Sequence, residues 1–342
     1  MELRKKIKNV IFKLDFNKKI GLGNLIRCLR IGNELPFEKI YFVKHKINKK
    51  IKKKIRKNNR IFVQKPKANA LYDAKEFVKN KYVNKQSTLI IDDRKIDHRW
   101  HKIVKPYVKK IIVIDDLAIN KNYCDIYVNY KITKNKNLRR KVIKLNQKNT
   151  RICLGENYVI LDRELKIKKK NYLSKKILIN FGNSFDFLKA KKLIRNVANS
   201  LSNKIQIIIC IGLLSKNYNY IFDLSKKYKN VKIIYKQVFI ENILNDIDLF
   251  IGSCGTALFE NSYLNIPSIF FSVSIDQKND IDDLKRIGHH YLFEQKEINN
   301  IKILKLINYM YDNYKNEKKK FSTKKIILTK KGIFNFKKLI VT

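Results

Sequence analysis

Short apolar runs recur along the chain and alternate with amphipathic segments. In the first half they are "NVIFKLD" from Asn9, "KIYFV" from Lys39, "RIFV" from Arg60, "STLIIDD" from Ser87 and "KIIVIDD" from Lys110. Their hydrophobicity is nearly continuous rather than alternating, which is what a strand buried on both faces requires; the helix-like segments between them supply parallel crossovers. The rhythm restarts at "KKILINFG" from Lys175. It continues through "KIQIIICIG" from Lys204, "VKIIY" from Val231, "DLFIGS" from Asp248 and "PSIFFSV" from Pro267. The pattern predicts an α/β protein with two Rossmann-like, doubly wound halves. The stretch from Asn137 to Lys176 is polar and irregular and reads as a hinge. It places an N-terminal domain at 1–168 and a C-terminal domain at 169–342, the latter ending in a basic helical tail from Glu297. Two such halves bind ligands in a central cleft facing the strand C-termini.

Composition adds one unusual feature. The 342 residues carry 77 Lys+Arg against 29 Asp+Glu, a formal net charge of +48. Lysine is abundant everywhere, linkers and helix backs included, so the excess reads as compositional drift rather than a binding patch. An RNA-binding function would rest on charge alone, and nucleic acid is not an expected partner. The most basic run, "HKINKKIKKKIRKNNR" from His45, carries Ile47, Ile51 and Ile55 at the spacing of one helix stripe and no aromatic residue for base stacking. It predicts a solvated crossover helix, while the Lys-rich face leaves a peripheral membrane contact open. The five cysteines are far apart and form no CxxC pair, the N-terminus is too charged for a signal peptide, and no apolar run is long enough to span a bilayer. A cytoplasmic protein with reduced thiols and no metal is expected.

Several turns could carry chemistry. In "LDFNKKIGLGNLIRCLRIGNEL", from Leu14, a strand end, Gly21 and Gly23 lead into a helix, presenting amide groups and a helix dipole at the strand edge. The third glycine of a dinucleotide fingerprint and the lysine of a P-loop are both missing, so NAD or ATP is poorly supported. In "GSCGTALFENSYLNIPSIFFSV", from Gly252, a strand again gives way to a helix. Ser253, Gly255 and Thr256 offer amides and hydroxyls where a diphosphate would lie. Glu260, one turn on, is placed either to accept bonds from ribose hydroxyls or to cap the helix in solvent. Gln277 opens a further helix, and Gly182, Asn183 and Ser184 form a third strand-end turn that touches a phosphate or caps the next helix. Asp15, Asp92-Asp93 and Asp115-Asp116 end strands of the first half, where carboxylates could raise one another's pKa and act as base or acid, or pair with lysines. His98 and His101 share a helix face without an acidic partner pattern and read as surface residues.

The order of these motifs resembles the nucleotide-sugar hydrolases of the pseudaminic acid pathway, which remove UDP from a diacetamido-trideoxy-altrose, and related spore-coat polysaccharide proteins. The resemblance rests on the glycine turn, "IIDD" (Ile90 to Asp93), "IVIDDLAINKNYCDIYVN" (Ile112 to Asn129), "LGENYVILDREL" (Leu154 to Leu165) and the Gly252–Gln277 block. It runs from about Val10 to about Phe293. It implies the two-domain GT-B fold of the peptidoglycan N-acetylglucosaminyltransferase and a UDP-linked amino sugar as substrate, with no cofactor. Ser253, Gly255, Thr256, Glu260 and Gln277 would bind UDP, and Gly21 and Gly23 would frame the sugar end beside Asp15. The family's turn usually reads G-x-G-H, its histidine held to activate the attacking water. Here that position is Asn24, an amide that takes no proton near neutral pH, so Asp15 and Asp93 become the candidate bases. The family also tends to carry His-Tyr after the strand-four aspartate, where this chain has Asp93-Arg94. The expected function is UDP-sugar hydrolysis in surface-polysaccharide or nonulosonate synthesis. The alternatives are a GT-B glycosyltransferase and a catalytically silent UDP-sugar binder.

Overall fold

The computed structural model describes residues 7–17, 21–53, 55, 59–64, 69–132, 136–167, 175–285, 290–320 and 328–341. The chain forms two compact units: Met1–Ile160 with Thr329–Thr342, and Leu161–Leu328.

The first unit is built on a seven-stranded sheet of β1 (Asn9–Leu14), β2 (Glu38–Val43), β3 (Asn59–Val63), β4 (Ser87–Asp92), β5 (Lys110–Ile114), β6 (Ile126–Asn129) and β7 (Arg151–Leu154). Its order is β3-β2-β1-β4-β5-β6-β7 and every pairing is parallel. β1 and β4 are buried along their whole length, the condition their uninterrupted apolar sequences anticipate. The helix Gly23–Asn33 lies so close to the sheet that a Cβ on Gly32 would sit 2.0 Å from the Tyr41 hydroxyl. On this sheet Ile11, Phe42, Leu89, Ile91 and Val113 pack with Phe77 and Trp100 from the crossover helices.

The second unit repeats the plan with six strands: β8 (Lys176–Asn180), β9 (Gln206–Gly212), β10 (Val231–Gln237), β11 (Leu249–Ser253), β12 (Ser268–Ser272) and β13 (Tyr291–Glu294). They run in the order β10-β9-β8-β11-β12-β13, again all parallel. Its core joins Ile177, Ile179, Ile209, Ile251 and Phe271 to Phe187, Ile194, Ile303 and Ile307 from the flanking helices.

Three features differ from expectation. The expected boundary at 168/169 falls outside the described residues, and the units part instead between Ile160 and Leu161. The final helix, Lys331–Val341, returns to the first unit rather than extending the second. Phe336, Leu339 and Ile340 are buried there, Asn335 donates to the Asn157 carbonyl at 2.8 Å, and Gly332 approaches Val159 so closely that a Cβ would lie 1.9 Å from its carbonyl oxygen. An apolar face outweighs the basic back that made this segment look like a tail. Among the described residues, the helix expected over His45–Arg60 is a single turn, Lys49–Lys52, although Ile47 and Ile51 are buried as the stripe implies.

Candidate functional site

In each sheet the strand order reverses direction once, between β1 and β4 in the first unit and between β8 and β11 in the second. Crossovers leave on opposite faces at such a point, so a crevice opens beyond the strand C-termini. The residues singled out from the sequence gather at these two places.

In the first unit, Leu14 of β1 is in register with Val43 of β2 and Asp92 of β4, which sets Asp15, Lys44, His45 and Asp93 side by side at the sheet edge. All three carboxylates here, of Asp15, Asp92 and Asp93, are buried. Asp92 is held by Arg27, whose Nε and Nη2 donate at 2.9 and 2.8 Å to its two oxygens. Arg27 also contacts the Tyr130 hydroxyl, which in turn donates to Asp116 at 2.9 Å; Arg94 lies 3.5 Å from Asp116. Burial raises the Asp92 pKa against the pull of Arg27. Burial works the same way on Asp116 but is outweighed by Arg27 and Arg94, which hold it below its usual value. Asp115 is raised, mainly by burial, while it accepts from the Leu117 and Ala118 amides at 2.9 and 3.0 Å. Asp92 and Asp116 therefore do not act mainly on one another, one of the two readings their place in the sequence left open. Desolvation and the two arginines sort them.

Asn24 is buried at the start of the helix Gly23–Asn33. Its Nδ2 donates to the Asp92 carbonyl at 3.1 Å and its Oδ1 accepts from Arg27 at 3.3 Å, so both ends of the amide are engaged within the protein. The Asp15 amide reaches the same Asp92 carbonyl at 3.5 Å. Asn24 and Asp15 thus converge on one backbone oxygen at the switch point. Gly21 takes a positive φ of 84°, a conformation that favours glycine, and its amide donates to Asn17 at 2.7 Å. Among the described residues, a Cβ on Gly23 would meet nothing within 4 Å. Lys44 bridges two carboxylates, at 2.6 Å from Asp93 Oδ2 and 3.5 Å from Asp15 Oδ2. His45 Nε2 lies 4.0 Å from Asp15 Oδ1. His45 was hidden at the start of the basic run and Lys44 just before it; the signal for them was their place one and two residues beyond the end of β2.

In the second unit, Gly252 is paired with Asn180, so the turns after β8 and β11 meet. The Gly182 amide donates to the Asn180 side chain at 2.7 Å, and a Cβ on Gly182 would lie 3.5 Å from Ser253 Oγ. Asn183 is not a helix cap: its side chain accepts from the Leu213 amide at 3.5 Å and its carbonyl from Leu214 at 2.7 Å, while Asp186 caps the helical turn that follows. Gly255 is the N-cap of the helix Thr256–Leu264 and provides no side-chain cap. Among the described residues, no acceptor takes the amides of Gly255, Thr256 or Ala257. Gln277 fastens its Oε1 to the Val273 amide at 2.9 Å, and its Nε2 lies 3.5 Å from where a Cβ on Gly255 would stand. The turn is a concave set of N–H donors at a helix start, suited to an anion. Glu260, one turn on, is only 2% exposed and engaged with protein neighbours, which rules out the solvent-facing cap.

His101 corrects another expectation. It is fully buried, accepts from the Tyr123 amide at 3.2 Å, and burial lowers its pKa to about 4. Among the described residues no group of three or more His, Cys, Asp or Glu is arranged to hold a metal, and no helix is long and apolar enough to cross a membrane.

No family model matches the chain. An uncharacterized protein of Methanocaldococcus jannaschii is 30% identical over 299 residues, 83% of this chain; the chain spans about 60% of that relative's length. Among solved structures, MurG of Acinetobacter baumannii superposes with a TM-score of 0.62 at 12% identity, covering 97% of this chain and 99% of the other. A Polygonum tinctorium UDP-glucosyltransferase capable of glucosylating indoxyl gives 0.63 at 9% identity and 98% of each chain. HepE of Anabaena, solved with UDP and glucose, gives 0.56 at 10% identity, with 97% and 99% covered. The fold is that of the GT-B glycosyltransferases, two parallel-sheet α/β domains in one chain.

Proposed function

We propose that this chain is a UDP-sugar-processing enzyme, with the diphosphate held at the β8/β11 turn of the second unit. The observation that supports it most is the β8/β11 switch point. There the uncapped Gly255, Thr256 and Ala257 amides, the Ser253 hydroxyl, the Gly182 turn and the Gln277 amide group come together. A diphosphate at a helix N-terminus is stabilised both by these donors and by the helix dipole. Structures of the same fold carry UDP and glucose, as in HepE, or UDP-2-fluoro-glucose, as in a Phytolacca americana enzyme.

The finer reading follows the sequence resemblance: hydrolysis of a UDP-linked diacetamido-trideoxyhexose in surface-polysaccharide or nonulosonate synthesis. A water oxygen bonds to the anomeric carbon as the bond from that carbon to the diphosphate oxygen breaks. UDP leaves with the electron pair, its charge met by the Gly255 turn, and the water's proton passes to a base. A glycosyltransferase is the second reading, because Asn24, where the resembled hydrolases carry a histidine, is an amide engaged within the protein. In that reaction an acceptor hydroxyl takes the place of water, and the Lys-rich surface would face a membrane-bound acceptor.

Incubation of the chain with a panel of UDP-hexoses, with and without an acceptor lipid extract, separates the two. UDP release without acceptor is expected for the hydrolase and release only with acceptor for the transferase. Calorimetric UDP binding without release leaves a silent binder, and no binding at all overturns the reading.

A further inference from the structure

We propose that the first unit holds a second ligand site, for a small apolar acid, in the cavity between the turn after the helix Gly23–Asn33 and the end of the helix Lys331–Val341. The site is independent of the UDP-sugar reading, because it lies at the opposite edge of the sheet from the switch point.

The cavity encloses about 490 Å³ and is lined by residues 33–37 of the turn and by Lys337 and Val341 of the helix. That volume is the size of a small-molecule site. The turn leads directly into β2, so the cavity stands where the strands begin, while Asp15, Lys44 and Asp93 stand where they end. Leu35, Pro36, Phe37 and Val341 offer no side-chain donor or acceptor. Leu35 is buried, Phe37 and Val341 are half-buried and Pro36 is exposed. The apolar wall thus continues from the core out to the surface, and an apolar occupant is favoured by the area it withdraws from water.

Charge decides which apolar molecule fits. Both helices end at the cavity, and the last carbonyls of a helix carry partial negative charge. Here they are answered from within the protein. The Ile31 and Gly32 carbonyls accept from the Glu34 and Leu35 amides at 3.2 and 3.1 Å. Lys39 donates to the Leu35 carbonyl at 3.3 Å, and Lys110 to the Leu339 carbonyl at 3.0 Å. Glu34 is engaged with protein neighbours. Among the described residues, Lys337 has no hydrogen bond, ion pair or ring contact, so its ammonium is the lining charge left for an occupant. Its stem is half-buried along the wall, as a lysine beside apolar surface places it. A neutral molecule would leave that ammonium unanswered and a cation would be repelled by it. A ring system carrying one carboxylate or sulfonate satisfies both the wall and the charge.

The probes are the dye anilinonaphthalene sulfonate and its uncharged counterpart phenylnaphthylamine, titrated by fluorescence into the full chain at about 0.15 M salt, where scattered surface lysines are screened. The sulfonate is expected to bind about 2- to 5-fold more tightly than the uncharged dye, the gap that a half-exposed charge pair allows. Lys337→Met should close that gap and leave the affinity of the uncharged dye unchanged. Val341→Asp should weaken both dyes at least about tenfold, because the rings would desolvate the new carboxylate. Pro36→Asp, on the exposed part of the turn, should do the same without touching the core, and it decides the matter should Val341→Asp fail to fold. Equal affinity of the two dyes for the wild type, a gap that persists in Lys337→Met, or dye binding unchanged in Pro36→Asp would each overturn the proposal, the last marking an adventitious additive only, spread over the lysine-rich surface.

Discussion

Replacing Gly252 by alanine probes the construction of the β8/β11 switch point. Gly252 lies on β11 opposite Asn180, and an added Cβ would stand 1.8 Å from the Asn180 carbonyl oxygen, 2.7 Å from its carbon and 2.9 Å from a Phe250 ring carbon. The first of these is about 1.6 Å inside the 3.4 Å at which ordinary contact begins. Backbone in a paired strand cannot turn away as a flexible side chain can, so β8 and β11 must separate. Overpacking a core costs about 1–3 kcal/mol, and weakening one or two ladder hydrogen bonds adds about 1 kcal/mol each. A total of about 3–4 kcal/mol should lower Tm by on the order of 10 °C for a unit of this size, measured by circular dichroism melting. Gly255→Ala is the control. Among the described residues its Cβ would meet only Gln277 Nε2, at 3.5 Å, so Tm should hold while UDP affinity falls if a phosphate packs against that turn. A Gly252→Ala protein melting within about 2 °C of wild type would refute the strand contact, and a Gly255→Ala protein that keeps its UDP affinity would remove the phosphate from the turn.

Asp92→Ala strands the buried Arg27 guanidinium and should cost about 3–5 kcal/mol; an Arg27→Met, Asp92→Leu double variant recovering most of that loss in urea titration would confirm an ion pair rather than a packing effect. His101 is neutral in the folded chain down to about pH 4, whereas the unfolded chain protonates it near pH 6.5. Its contribution is therefore present above pH 6.5 and lost as pH falls towards 4, by about 3 kcal/mol. His101→Gln, which keeps an acceptor for Tyr123, should flatten that part of the stability profile. Glu260→Ala should weaken UDP binding, and unchanged calorimetric affinity would take Glu260 out of the site. Asn24→His breaks the bonds to Asp92 and Arg27, so it should lower Tm, by about 1–3 kcal/mol of stability, without the gain in UDP release that a simple restoration of the family's histidine would bring.

Most strands that hydrophobicity located are long or fully buried: β1, β4, β9 and β12 are rich in Ile, Val, Leu and Phe because both faces are covered, while β3, short and partly exposed, is the exception. β6, β7 and β13 were not separated from loop because each has four residues and mixes polar with apolar side chains. Burial of single polar residues was equally illegible. Lys13 looks like an outward position, yet it is enclosed within β1, 3.0 Å from Asp73 and 2.6 Å from Gln64, and burial lowers its pKa. Such a charge is stable only because partners distant in sequence arrive with the fold. The same holds for the candidate site. The turns at Gly182 and Gly252–Gln277 could be read because glycines and a helix start are local signals. Lys44 and His45 could not, because only the parallel register of β1 with β2 brings them to Asp15.

The two switch points differ in charge. The first unit gathers Asp15, Asp92, Asp93, Asp115 and Asp116 at its edge, and the cations among them are already committed: Arg27 to Asp92, Lys44 to Asp93 and Asp15, Arg94 to Asp116. A diphosphate brought there would meet carboxylates in a poorly solvated setting, where like charges repel strongly. The second unit's turn is lined by Gly182, Ser253, Gly255, Thr256 and Gln277, without a carboxylate among them, and offers uncommitted amides. Even with a net charge of +48, it is these fixed dipoles rather than the lysine excess that discriminate, because mobile surface lysines are screened within about 10 Å at ordinary salt. On that basis raising the salt from 0.05 to 0.5 M should change UDP affinity by only a few-fold, whereas a site built on surface lysines would lose it in proportion to the number of charges engaged.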